Sequence, residues 1–178
     1  TLISASFYHQ RKVFRSKSFK SIRVNKNLEI ILINSCGYRK NIGIKRIIDH
    51  IILSLNLYKF LSQNKNFIPD KVFLGYPPIE TSLSLLIWAN KKNIPVMIDI
   101  KDNWPENYIE PFPKIIRPFI KLILLPYFAI AKYIFRNIKV INSISEEFIE
   151  WIKTFSKNNN AKYLVSPLVR KPIRTNKD

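Results

Sequence analysis

Apolar runs of strand length alternate with stretches of helical periodicity along most of this chain, and that alternation admits few architectures. The run "LEIILINS" (28–35) is nearly uninterrupted, the pattern of a strand covered on both faces. Ile44, Ile47, Ile48, Ile51, Ile52, Leu55 and Leu61 recur at helical spacing, which predicts an amphipathic helix over 43–63. "KVFLGY" (71–76) predicts a strand, and "PPIETSLSLLIWANKKN" (77–93) a helix opened by proline near its first turn. "IPVMIDI" (94–100) and "IKVINS" (138–143) are further strands, and 114–136 reads as helix bent or interrupted at Pro118 and Pro126. The spacing from Ser143 to Glu146 in "SISEEFIEWIKTF" has capping-box form and marks a helix start. "KYLVSP" (162–167) is a last strand. Residues 1–6 suggest a short strand, followed by a polar, basic loop to about Lys26. Strands alternating with helices imply a parallel sheet covered on both faces. No internal repeat or Gly/Ser-rich linker divides the chain, so a single domain over 1–168 with a polar tail at 169–178 is expected.

The formal charge is +18 over 178 residues. Such an excess favours polyanionic partners, although biased composition alone also produces it and charge says little about fold. The excess is uneven: residues 1–28 hold seven Lys or Arg and no acid, and 111–145 hold six and no acid. Cys36 is the only cysteine, so no disulfide forms within this chain; a small buried hydrophobe in or beside a strand is the expected role. Two His and one Cys are too few for a Cys/His zinc site. The start "TLISASFYHQRK" lacks a basic region followed by an apolar run, so a cytoplasmic chain is expected.

In parallel α/β sheets, ligands bind outside the carboxyl ends of strands. Three segments fall there: Gly75-Tyr76-Pro77-Pro78, the stretch from Asp102 to Glu106, and Ser143-Ile144-Ser145. With glycine only at Gly37, Gly43 and Gly75, neither a dinucleotide-binding G-x-G-x-x-G nor a P-loop is present. Asp99 and Asp102 lie three apart across a strand end, point to different faces and lack a third hard ligand, so no metal site is expected. Asp99 fits a strand-end residue bonded to nearby backbone donors. Asp102 suits a general base or an acceptor that orients a hydroxyl, or else a turn-forming Asp. Pro105 biases Trp104 toward an extended conformation, which makes Trp104 either a cleft wall or a core residue.

The segment D-x-W-P-E, read at Asp102, Trp104, Pro105 and Glu106 after an apolar strand introduced by "NIP", resembles the amino-terminal half of family-4 glycosyltransferases of GT-B fold. "FYHQRKVFR" (7–15) is similar to the His-Gln-x-Lys loop of one subgroup, and "YPPIE" (76–80) to its proline-bearing loop and helix start. The stretch from 113 to 151 resembles the helix, strand and Ser-x-Ser-Glu turn that follow. The resemblance covers nearly the whole chain in order, with Lys101 where Arg is common and Asn103 where an aliphatic residue is common. It implies a Rossmann-like acceptor-binding domain of a retaining enzyme, lacking its first strand–helix unit and its donor-binding domain, and inactive by itself. Asp102 would be the catalytic acid/base or orienting residue. His9, Lys12, Tyr76, Glu80, Trp104, Glu106, Ser143 and Ser145 would line the acceptor side. A sugar or lipid-linked acceptor is implied. A nucleotide-sugar donor would be held by a missing or separate donor domain, with no cofactor in this chain.

The segment 114–136 is strongly apolar but punctuated by Arg117, Lys121, Lys132 and Arg136, and its longest uncharged run, 122–131, is too short to span a bilayer. A core helix with a basic outer face is the expected reading. The rival is a segment resting on an anionic membrane surface, at the inner face of the membrane. A nucleic-acid-binding module is the rival functional class; no zinc-finger spacing or RNP-like run supports it.

Overall fold

A computed structural model describes residues 1–41 and 43–167; the 169–178 tail lies outside the described residues. The chain adopts a Rossmann-like α/β fold, with strands and helices alternating through its second half. Strands β6 (Val72–Tyr76), β7 (Val96–Ile100), β8 (Val140–Ser143) and β9 (Lys162–Val165) form a parallel sheet in that order. Helix α2 (Ile79–Lys91) links β6 to β7, and α5 (Glu146–Ser156) links β8 to β9. Between β7 and β8 come a 3₁₀ turn (Glu106–Tyr108) and helices α3 (Arg117–Ile123) and α4 (Leu125–Arg136). The central strands are apolar because both faces are covered: Ile98, Ile100 and Ile141 are fully buried. Each contributes about 1.5–3 kcal/mol over an exposed position.

The expected single sheet is divided. Strand β1 (Leu2–Ala5) pairs parallel with β5 (Leu28–Ile33), and β4 (Lys20–Asn25) pairs antiparallel on the other side of β5. Among the described residues these three strands form their own sheet, with β1 and β6 both at edges. The two sheets share one core, in which Ile31 and Ile33 join Leu74, Tyr76 and Ile98.

The basic loop expected up to Lys26 is instead largely strand. β2 (Phe7–Tyr8) pairs with β3 (Val13–Phe14), and β4 follows. All six residues of β4 are exposed, although Ile22 and Val24 alternate with Ser21, Arg23 and Asn25 in the sequence.

Helix α1 (Ile44–Gln63) forms where periodicity placed it, but with a different face inward. Ile44, Ile48, Ile51 and Leu55 are exposed, while Asp49, His50 and Ser54 are buried beside Leu57 and Leu61. Helix α5 starts two residues later than expected. Ser145, not Ser143, is its N-cap and accepts from the Phe148 N–H, because Ser143 still belongs to β8 and donates its hydroxyl to the Ile100 carbonyl at 2.6 Å. The interruption expected in 114–136 is present: the segment breaks at Leu124, the two helix axes bend by 62°, and Pro118 and Pro126 sit in the first turns of α3 and α4. The core-helix expectation holds for α4, which buries Ala131, Ile134 and Phe135, and fails for α3, which buries nothing. No single described helix is long and apolar enough to cross a membrane.

Candidate functional site

The loops at the carboxyl ends of β5, β6 and β7 converge with the start of α1. After β5 the chain turns through Gly37, whose backbone N–H donates to the buried Asp49 carboxylate at 2.5 Å. Gly37 has φ +73°, and a Cβ there would stand 2.8 Å from Phe14 Cζ and 3.0 Å from Phe7 Cδ2. Glycine therefore both permits the turn and lets the β2–β3 hairpin close over it. The turn delivers Tyr38 into a buried position between that hairpin and α1. Cys36, just before it, is exposed rather than buried.

On α1, Arg46, His50 and Ser54 recur every fourth residue and so share one stripe. That stripe faces the start of α2. Ser54 Oγ donates to the Glu80 carbonyl at 2.8 Å, and His50 Nδ1 lies 3.6 Å from Glu80 Oε2. The Tyr127 hydroxyl, from α4, donates to Glu80 Oε1 at 2.7 Å. Burial pushes the Glu80 carboxyl up, but the His50 ring beside it and the bond from Tyr127 outweigh it and hold the group below its ordinary value. Tyr127 is pushed well up, by burial first and then by its bond to Glu80.

Aromatic rings wall this seam. Trp104 lies 6.0 Å from His50 and 4.4 Å from Tyr108, centroid to centroid, the second pair edge-on. The Arg46 guanidinium stands 4.6 Å over Trp104 and 5.7 Å from Tyr38, and Lys12 Nζ is 4.3 Å from the Tyr38 ring. Lys12, with φ 56°, also donates to Asn41. His9 is exposed at the rim; burial and then the charges of Lys12, Arg46 and Arg15 lower its pKa. Burial raises the Tyr108 hydroxyl to about 12. Among the described residues, Arg46 Nε and the Tyr108 hydroxyl are enclosed without a protein partner. His50 Nδ1 and Glu80 Oε2 in the same seam are likewise enclosed without a hydrogen-bond partner.

Of the residues singled out from sequence, His9, Lys12, Glu80 and Trp104 belong to this cluster. The others have structural partners. Asp102 accepts from Trp104 Nε1 at 3.0 Å and from Asn107 Nδ2, so both its oxygens tie the loop after β7 together, through side-chain donors rather than the backbone N–H groups expected of a turn-forming Asp. Tyr76 is buried and donates to the Trp104 carbonyl at 2.8 Å. Glu106 turns toward α5, where Oε1 accepts from Trp151 Nε1 at 3.3 Å and Oε2 is enclosed without a partner; burial above all raises its pKa. Ser143 and Ser145 hold the β7–β8 pair and the α5 cap. Asp99 is bonded to side chains rather than backbone donors: Asn142 Nδ2 at 2.6 Å and Lys101 Nζ at 3.1 Å.

Tyr38, Arg46, His50, Tyr108 and Tyr127 had not been singled out. The signal for His50 was present as Asp49-His50, two polar residues within an isoleucine-rich helix. The two shallow hollows elsewhere, one beside Trp151 and Phe155 and one beside Phe19 and Phe60, include no residue of the cluster. Within the cluster Tyr38, His50 and Trp104 are buried, and Lys12, Arg46 and Tyr108 are part-exposed. No protein family, curated protein or solved structure matches the chain.

Proposed function

We propose that the chain is the acceptor-binding domain of a retaining glycosyltransferase that uses a nucleotide-sugar donor. The observation that carries the reading is the aromatic and cationic wall of Tyr38, Arg46, Trp104 and Tyr108 at the carboxyl ends of the strands. Aromatic faces receive the C–H side of a sugar ring, and Arg46 with Lys12 pairs its hydroxyls or an attached carboxylate or phosphate. Glu80 and His50 are positioning residues: Glu80 fixes Tyr127, and His50 packs on Trp104. Asp102 sets the loop that presents Trp104.

A further fact supports the reading. The two sheets are unjoined between β1 and β6, and in a doubly wound order 3-2-1-4 the first strand lies between those two positions. The donor sugar would be bound by a second domain.

Calorimetric titration with glucose, glucuronate and glucose 1-phosphate tests this. The two anionic sugars should bind more tightly than glucose, and Arg46→Ala should abolish the difference. Failure of all three to bind, together with salt-steep binding of duplex DNA, would replace the reading with a nucleic-acid module.

A further inference from the structure

Helix α3 presents an unpartnered apolar face. Phe119, Leu122 and Ile123 lie at i, i+3 and i+4 and are 68, 62 and 72% exposed. Ile115, in the turn just before the helix, is 82% exposed, and Leu125, at the start of α4, is 51% exposed. Such a concentration of exposed apolar side chains is one that a water-facing surface does not normally keep. Lys114, just before the helix, is exposed, Lys121 is exposed on the opposite side of α3 with its Nζ 5.8 Å from the Phe128 ring, and no acidic residue occurs from 111 to 145.

We infer that α3 docks on an anionic lipid bilayer, its apolar side chains entering the boundary between headgroups and acyl chains. Charge selects this occupant. A second copy packed on the same face would bring two acid-free 111–145 segments together with no carboxylate to pair their basic residues, on chains already at +18. An anionic bilayer supplies the opposite charge and apolar depth together, and it needs no complementary pocket for a protruding face. Because Tyr127 of α4 bonds to Glu80, docking would hold the aromatic–cationic wall beside the bilayer. The inference does not depend on the sugar-binding reading.

The test is co-sedimentation of the full chain with vesicles of phosphatidylcholine alone and of phosphatidylcholine mixed with phosphatidylglycerol. Binding should require phosphatidylglycerol and weaken with salt. Lys114→Gln with Lys121→Gln should weaken it by about fivefold per charge removed. Phe119→Glu with Ile123→Glu should abolish it without moving the thermal midpoint, since both side chains are exposed. No vesicle binding would overturn the inference, as would binding that survives Phe119→Glu/Ile123→Glu, because charge anywhere on the chain would then suffice. A dimer in sedimentation velocity that the same double substitution dissolves would assign the face to a second copy instead.

Discussion

Asp102 and Glu80 both follow a strand of the same parallel sheet by a few residues, yet they do opposite work. Asp102 spends both oxygens on donors two and five positions away, Trp104 and Asn107. Glu80 reaches 30 positions back to His50 and 47 forward to Tyr127. The motif that stands out in the sequence is therefore a local brace. The proposed ligand-facing chemistry is assembled from single residues on separate elements, which the brace and the helix seam hold together.

The largest expected effect breaks the brace. Asp102→Ala leaves the Trp104 indole N–H and the Asn107 amide without an acceptor beside buried rings, at a cost of roughly 2–3 kcal/mol in urea unfolding. Asp102→Asn, which keeps one acceptor oxygen, should recover about half of that. If Asp102→Ala unfolds like the wild type while losing saccharide binding, Asp102 belongs to the ligand and the contrast with Glu80 collapses.

A smaller effect distinguishes Glu80 from Glu106 by the sign of their pH dependence. The folded-state pKa of Glu80 lies below its ordinary 4.5, so its contribution is complete above that value and is lost as pH falls through the folded value. Glu106 is raised above 4.5, so the folded state holds its proton more tightly than the unfolded chain does, and stability falls as pH rises from 4.5 through the raised value. Urea midpoints at neutral pH should therefore drop for Glu80→Gln and rise for Glu106→Gln. Both differences should shrink toward acid. Glu106 is partly solvated, so its effect should stay below about 1 kcal/mol. Shifts of the same sign in both variants would show that the two carboxylates are not distinguished in this way.

Much of the fold was legible because burial leaves a pattern. The doubly covered strands β5, β7 and β8 read as apolar runs, and α1, α2 and α5 read from their periodicity. The strands within residues 7–25 were missed: in β4 the alternation of Ile22 and Val24 with polar neighbours is short and sits among basic residues, and neither side chain is buried. Helix α1 was legible as a helix, but its inward face was not. Isoleucines at 44, 48 and 51 mark an apolar stripe by composition, while contacts with α2 and the β5 turn draw Asp49, His50 and Ser54 inward. That inversion hid the site, because the polar side of α1 builds it. The division into two sheets depends on pairings between strands distant in sequence, and no local pattern records those.

The most direct test of the central claim uses the chain's three tryptophans as fixed reporters. Trp88 Nε1 donates to the Leu61 carbonyl behind α1, Trp151 Nε1 to Glu106, and Trp104 Nε1 to Asp102 beside Arg46. Indole resonances of ¹⁵N-labelled protein should be followed while glucuronate or glucose 1-phosphate is added. The account predicts that the Trp104 signal moves while that of Trp88 stays in place. A stationary Trp104 signal while the Trp88 or Trp151 signal shifts would place the ligand elsewhere and contradict it.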